Sequence, residues 1–170
     1  KDYDKKIHES LWNQVRYLEL NIEYHLLGNH LFTNCKALFY ACAFFSDKKL
    51  KHTYKKAINI LNNELDEQFL NDGAHFELSP MYHALSIEDL IDLYAIKEKL
   101  PTNFPSEKIK NKIIIGLNWL KYFSYKNSEI ANFNDSTNDI APLESELIHL
   151  AKLNKININK TKIETNKYFE

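Results

Sequence analysis

Glycine, proline, cysteine and arginine are all scarce in this 170-residue chain, and each scarcity excludes something. Three glycines and four prolines leave little of the turn chemistry that a chain of many short strands needs. Two cysteines, Cys35 and Cys42, fall seven apart within one expected helix, so their Cα atoms sit ~10.5 Å apart, beyond disulfide reach. They read as buried thiols and leave the redox compartment open. Arg16 is the one arginine beside 21 lysines, and the net charge is -1. A phosphate-tracking surface favours the arginine fork in a basic patch, so nucleic acid is not an expected partner. No apolar run approaches the ~20 residues of a membrane span, and the opening Lys-Asp-Tyr-Asp-Lys-Lys has no apolar signal core behind it. The opening lysine, where a methionine would start a gene product, reads as a piece of a longer chain. Nineteen asparagines among many Lys and Ile match an AT-rich coding bias, and no function is drawn from them.

What is present is enough for one globular domain: 44% hydrophobic and 26% charged residues, burying roughly two-thirds of the unfolded surface. Apolar residues recur at three and four, not two, which makes the class all-α. Residues 8–26 put Leu11, Trp12, Val15, Leu18 and Ile22 on one stripe, with Ser10 as N-cap and Gly28 as stop. From about His30 to Phe45 the helix is apolar over much of its circumference, as an interior helix is, and Ser46-Asp47 closes it. A third helix spans 47–70 and ends in Asn71-Asp72-Gly73. A fourth covers about 82–98, a fifth runs from a Ser106 cap through Phe123, and Pro142 starts a short sixth to Leu153. Residues 124–141 form a long loop. The helical region thus covers 1–153, and 154–170, with Ile156, Ile158 and Ile163 alternating with polar residues, reads as a linker or the first strand of a following β domain. Helix pairs joined by short turns suit a solenoid or toroid, although no repeat of fixed length is evident.

Four groups of residues could carry chemistry. Gly28-Asn29-His30 puts two hydrogen-bonding side chains at a positive helix N-terminus, where a carboxylate can be received. The plainer alternative is that Asn29 caps and His30 fills the first turn. His75, Glu77, Tyr82 and His83 lie in the Gly73–His83 segment, which carries Pro80, and supply acid, base and orienting groups; a loop packed by its own side chains would look the same. His25, His30, His75 and Glu77 could form a metal site, but no HExxH or paired CxxC spacing supports it. Asn132-Phe133-Asn134-Asp135-Ser136 most simply satisfies loop backbone, or touches a sugar beside a cleft. No phosphate-cradling loop, GxSxG elbow or dinucleotide fingerprint occurs, so serine hydrolases, kinases and nicotinamide oxidoreductases fall away and no cofactor is expected.

Taken together, Tyr24-His25-Leu26-Leu27-Gly28-Asn29-His30-Leu31, then Asn71 through His83 with its Gly-Ala-His-Phe-Glu-Leu-Ser-Pro core, then Asn132 through Ser136 followed by Ile140-Ala141-Pro142, resemble the helical part of the heparinase II/III-like polysaccharide lyases. Order and separation agree across about residues 10–153. The resemblance implies an α/α toroid, of which this chain is a later, incomplete portion, followed by a β domain. It also implies a bacterial, periplasmic or secreted enzyme that cleaves a uronic-acid polysaccharide by β-elimination, with that acidic polysaccharide and the chain's own β domain as partners. By that likeness Asn29, helped by His30, faces the uronate carboxyl, and Tyr82 protonates the leaving oxygen and also serves as base. His75, Glu77, His83 and Asn134 are the expected substrate-binding residues. A phenol titrating near ~10 is a poor base unless cations stabilise the phenolate, a role His75 and His83 could fill, with Glu77 fixing one imidazole's tautomer. The family's further histidine comes from the β domain and matches nothing here. With one arginine, sulfate-rich heparin is a poor substrate and a less charged uronate polymer fits better. The alternative is a non-catalytic carbohydrate-binding or scaffold domain whose aromatics stack on sugars.

Overall fold

The computed structural model describes residues 2–45 and 48–158. Six α-helices follow one another: α1 Asp2–Leu20, α2 Gly28–Phe45, α3 Lys51–Glu67, α4 Pro80–Ala95, α5 Ser106–Leu120 and α6 Glu144–Leu153, with single 3₁₀ turns leading into α3 and following α4 and α5. Among the described residues no strand forms; Phe69–His75 and Ser124–Ile130 make isolated bridges. The all-α class therefore holds, and no described helix is long and apolar enough to cross a membrane.

Helices α2 and α4 form the interior because their sequences leave almost no polar face. Leu31, Cys35, Leu38 and Phe39 of α2 pack with Ala84, Ile87, Leu90 and Ile91 of α4. The amphipathic α3 and α5 close over them with Ala57, Leu61, Leu65, Ile109, Ile113 and Leu117, and α6 adds Leu147 and Ala151. Two contacts show that each hairpin returns antiparallel. Gln68, just past α3, donates from Nε2 to the Gly28 carbonyl at the start of α2 (2.8 Å), and His83, in the first turn of α4, meets the Gly116 carbonyl late in α5 (2.9 Å). Glu77, three residues before α4, lies against Gly28 at the start of α2, so α2 and α4 begin at one end of the bundle and run parallel. Lys36 Nζ joins them at mid-length, 2.6 Å from both Asp89 and Asp92.

Helix ends depart from the sequence expectation. The first helix starts earlier and stops at Leu20, not near Leu26. The Asn21 amide donates to the Tyr17 carbonyl, and Asn34 of α2 binds both the backbone N–H and the carboxylate of Glu23, holding the next residues out of helical register. Leu27 and Gly28 then take φ 57° and 50°, reversing the chain, so Gly28 begins α2 where a stop was expected. Ser10 lies mid-helix, where its hydroxyl accepts from Gln14. Ser106 is the first residue of α5, behind a Pro105 N-cap, and Ser79, followed by Pro80, caps α4. The Ser46-Asp47 closure lies outside the described residues, as does Ile163. Ile156 is fully buried against the helices, and residues 156–158 form no strand.

Candidate functional site

The two loaded segments meet at the end of the bundle where α2 and α4 start. Glu77 carries the junction: its half-buried carboxylate accepts the Asn29 backbone N–H and sits so close to Gly28 that a Cβ there would lie 2.9 Å from Oε1. Burial and the neighbouring Asp135 carboxylate push the Glu77 carboxyl above its ordinary range, with the Asn29 N–H and His30 acting against them. A carboxylate at a helix N-terminus is favoured by the free N–H groups and dipole there, so Glu77 already fills part of the anion-receiving position expected of Gly28-Asn29-His30.

Asn29 and Tyr82 fall in the first turns of their helices, Asn29 as the second residue of α2 and Tyr82 as the third of α4, at the same end of the bundle. Both are half-buried. His30 is exposed, with Nδ1 3.8 Å from the Glu23 carboxylate.

Loop 132–136 clamps the start of α4. Ser79 Oγ donates to the Asp135 carbonyl (2.8 Å), since a carbonyl can only accept. The Ser136 hydroxyl is therefore the donor toward Ser79 Oγ (2.9 Å), and Ser79 also accepts the Tyr82 N–H as N-cap. The exposed Asn134 spends its amide N–H on the Leu78 carbonyl (2.7 Å), so it binds loop backbone and does not present that donor to a sugar.

His75 and His83 are not at the surface. Both are fully buried. Gln68 fixes the state of the first: its amide nitrogen serves the Gly28 carbonyl and a Glu64 carboxylate oxygen, leaving Oε1 to accept from His75 Nε2 at 3.1 Å. His83 Nε2 donates to the Gly116 carbonyl, its ring 4.6 Å from that of Trp119. Each Nδ1 is buried without a hydrogen-bond partner. Burial, reinforced by His83, pushes His75 down to about 3. Burial likewise pushes His83 down to about 4 against the Gly116 hydrogen bond and Asp72. The expectation that these imidazoles supply cations to a Tyr82 phenolate is thus corrected: they are neutral near pH 7 and form the packed floor beneath the site. Gln68, not Glu77, sets the His75 tautomer. Gln68 and Ser79 were not among the expected site residues, whereas Asp135 and Ser136 belong to the 132–136 loop already singled out, where they satisfy loop backbone and the start of α4. Among the described residues, no three His, Cys, Asp or Glu side chains gather as a metal site.

Similarity to known proteins bears on the family and the fold. The family model described as Heparinase II/III N-terminus matches residues 5–154. A heparin-sulfate lyase of Bacteroides stercoris is 35% identical over 88 residues, which are 48% of this chain and 13% of that protein. A heparin-sulfate lyase of Pedobacter heparinus is 33% identical over 94 residues, 54% of this chain and 14% of the relative. The chain thus spans about an eighth to a seventh of the curated relatives it matches. A solved heparinase III structure superposes with a TM-score of 0.68 at 23% identity, over 89% of this chain and 23% of that one, which supports the fold. With its residues 5–154 matched by the family model, the chain belongs to the heparinase II/III family.

Proposed function

We propose that this chain is the helical wall of a polysaccharide lyase that cleaves a uronic-acid polymer by β-elimination. What supports the reading is that Asn29 and Tyr82 fall in the first turns of α2 and α4, which Glu77 and the Ser79 clamp hold at one end of the bundle. The proton at C5 of a uronate is far too weakly acidic for a side chain to remove while the adjacent carboxylate keeps its full charge. Donors aimed at that carboxylate stabilise the enolate-like state and lower the barrier. In this reading the Asn29 amide, with His30 beside it, faces the carboxyl group. Tyr82, as the phenolate, takes the C5 proton and, as the phenol so formed, gives a proton to the leaving glycosidic oxygen as the C4–O bond breaks. Glu77 holds the Asn29 backbone so that the amide side chain is presented outward, and the neutral His75 and His83 keep that floor rigid. A β domain following residue 153 supplies a further histidine, and the whole protein works in the periplasm or outside the cell.

Arg16 is engaged by Glu19 at the far end of α1 and cannot serve sulfate groups at this edge. Weakly sulfated or unsulfated uronate polymers are therefore the better substrates. The test is an absorbance assay of the full-length protein on glycosaminoglycans, alginate and bacterial capsular polymers. Elimination yields a 4,5-unsaturated uronate that absorbs in the near ultraviolet. New reducing ends without that absorbance would refute the mechanism.

A further inference from the structure

The outer face of α3 carries a concentration of positive charge that the proposed chemistry does not use. Between Asp47 and Glu64 the sequence holds five lysines and one histidine and no acidic residue. Lys51, Lys55, Asn59 and Asn63 recur every four residues and make one stripe along α3, ~18 Å from end to end. Beside it lies a groove of about 390 Å³ lined by Tyr24, His52, Lys55, Lys56, Asn59 and Asn63. Lys51 and Lys55 are exposed and have no ion pair among the described residues. Lys56 Nζ reaches only a backbone carbonyl, that of Glu19 (2.6 Å). Glu19, whose carbonyl Lys56 reaches, is buried and already met by Arg16 and His52, and Glu23, next to Tyr24 in sequence, accepts from Asn34.

We propose that this groove is a second binding site for an acidic polysaccharide, an exosite that holds the polymer away from Asn29 and Tyr82. Ammonium groups meet carboxylate or sulfate groups without demanding a fixed geometry, and the two asparagine amides donate to and accept from sugar hydroxyls. The Tyr24 ring, 51% exposed, offers an apolar face for a pyranose to lie against. Nucleic acid would be served better by arginine, which the stripe lacks, and a lipid surface by a row of large apolar side chains, which it also lacks. The stripe runs toward the end of α3, where Gln68 touches Gly28, but its next position after Asn63 is the exposed Glu67, so the acidic chain is held over Lys51 to Asn63. The site rests on the polysaccharide substrate of the preceding reading but not on the elimination chemistry.

The experiment is equilibrium binding of fluorescently end-labelled heparan sulfate and hyaluronan oligosaccharides to the purified chain, beside dextran, single-stranded DNA and phosphatidylserine-containing vesicles. The double variant Lys51→Ala/Lys55→Ala should weaken binding of the acidic oligosaccharides about tenfold at low salt, with the loss shrinking as salt is added. Tyr24→Ala should weaken oligosaccharide binding and leave DNA binding unchanged, whereas Lys152→Ala, which removes an exposed charge on α6 away from the groove, should leave binding intact. Wild-type affinity in the lysine variant overturns the proposal, and so does equal or tighter binding of DNA or vesicles that ignores Tyr24. Groove variants that bind normally while Tyr82→Phe abolishes elimination sink this site and spare the lyase reading. Weakened groove variants in a protein that never forms the unsaturated product do the reverse.

Discussion

Tyr82→Phe removes one phenolic proton and keeps the ring, at a position whose backbone N–H is already held by the Ser79 cap. In the full-length protein this change should lower kcat about 10²-fold or more, the range of a positioned acid or base, while the melting temperature stays near that of the parent. Full activity in the variant would remove Tyr82 from the chemistry. His83 carries a different expectation, because its folded-state pKa of about 4 lies below the ordinary 6.5. Between those values the unfolded chain binds a proton that the folded chain refuses, so the stability His83 contributes is complete above pH 6.5 and is lost as pH falls toward 4. The slope approaches about 1.4 kcal/mol per pH unit, and His75, down to about 3, adds to it. His83→Gln keeps a donor for the Gly116 carbonyl and removes the titration. Urea midpoints measured from pH 7.5 down should show lower stability at neutral pH and an acid limb shallower by about one proton. An unchanged slope would contradict the buried neutral imidazole. At this scale the sequence displayed residue types and spacing, so Asn29, Glu77 and Tyr82 could be singled out. It did not display burial, which is why two histidines that look like site cations form the floor beneath it.

The elements depend on a few polar staples between segments distant in sequence. Ser79 caps α4 and also holds loop 132–136 through Asp135 and Ser136. Ser79→Ala should cost about 1–2 kcal/mol in thermal or urea unfolding, and hydrogen exchange should rise in residues 132–136 as well as in the first turn of α4. A stability loss with exchange in the loop unchanged would mean that the clamp is not formed. Gly73 marks the tightest approach of the 71–79 segment to α5: at φ 96° a Cβ would lie 2.6 Å from the Ile115 carbonyl oxygen. Backbone cannot yield as a side chain can, so Gly73→Ala should destabilise by about 2 kcal/mol or more; a neutral melting temperature would refute that packing. Helix existence was legible from three-four periodicity, because burial of one stripe is written in the order of residues. Helix ends were less so. The apolar spacing of Ile22 and Leu26 continues that of α1, yet Asn34 captures Glu23 and ends the helix sooner.

For the whole molecule, circular dichroism of the chain should be dominated by helix, with no β-type spectrum from residues 2–158. If the active site needs a wall from a following β domain, the 170 residues alone should bind acidic oligosaccharides yet generate no detectable unsaturated product where the full-length protein does. Full turnover by the isolated chain would place all the machinery within it. The all-α class and the order of helix pairs were set by the sequence itself, because periodicity, capping and turn signals are local and need no partner. The tertiary structure alone decided that α2 and α4 start at one end of the bundle, that Glu77 occupies the start of α2, and that His75 and His83 are neutral. Those outcomes depend on which distant groups share a low-dielectric interior, and packing, not spacing along the chain, determines both proximity and charge.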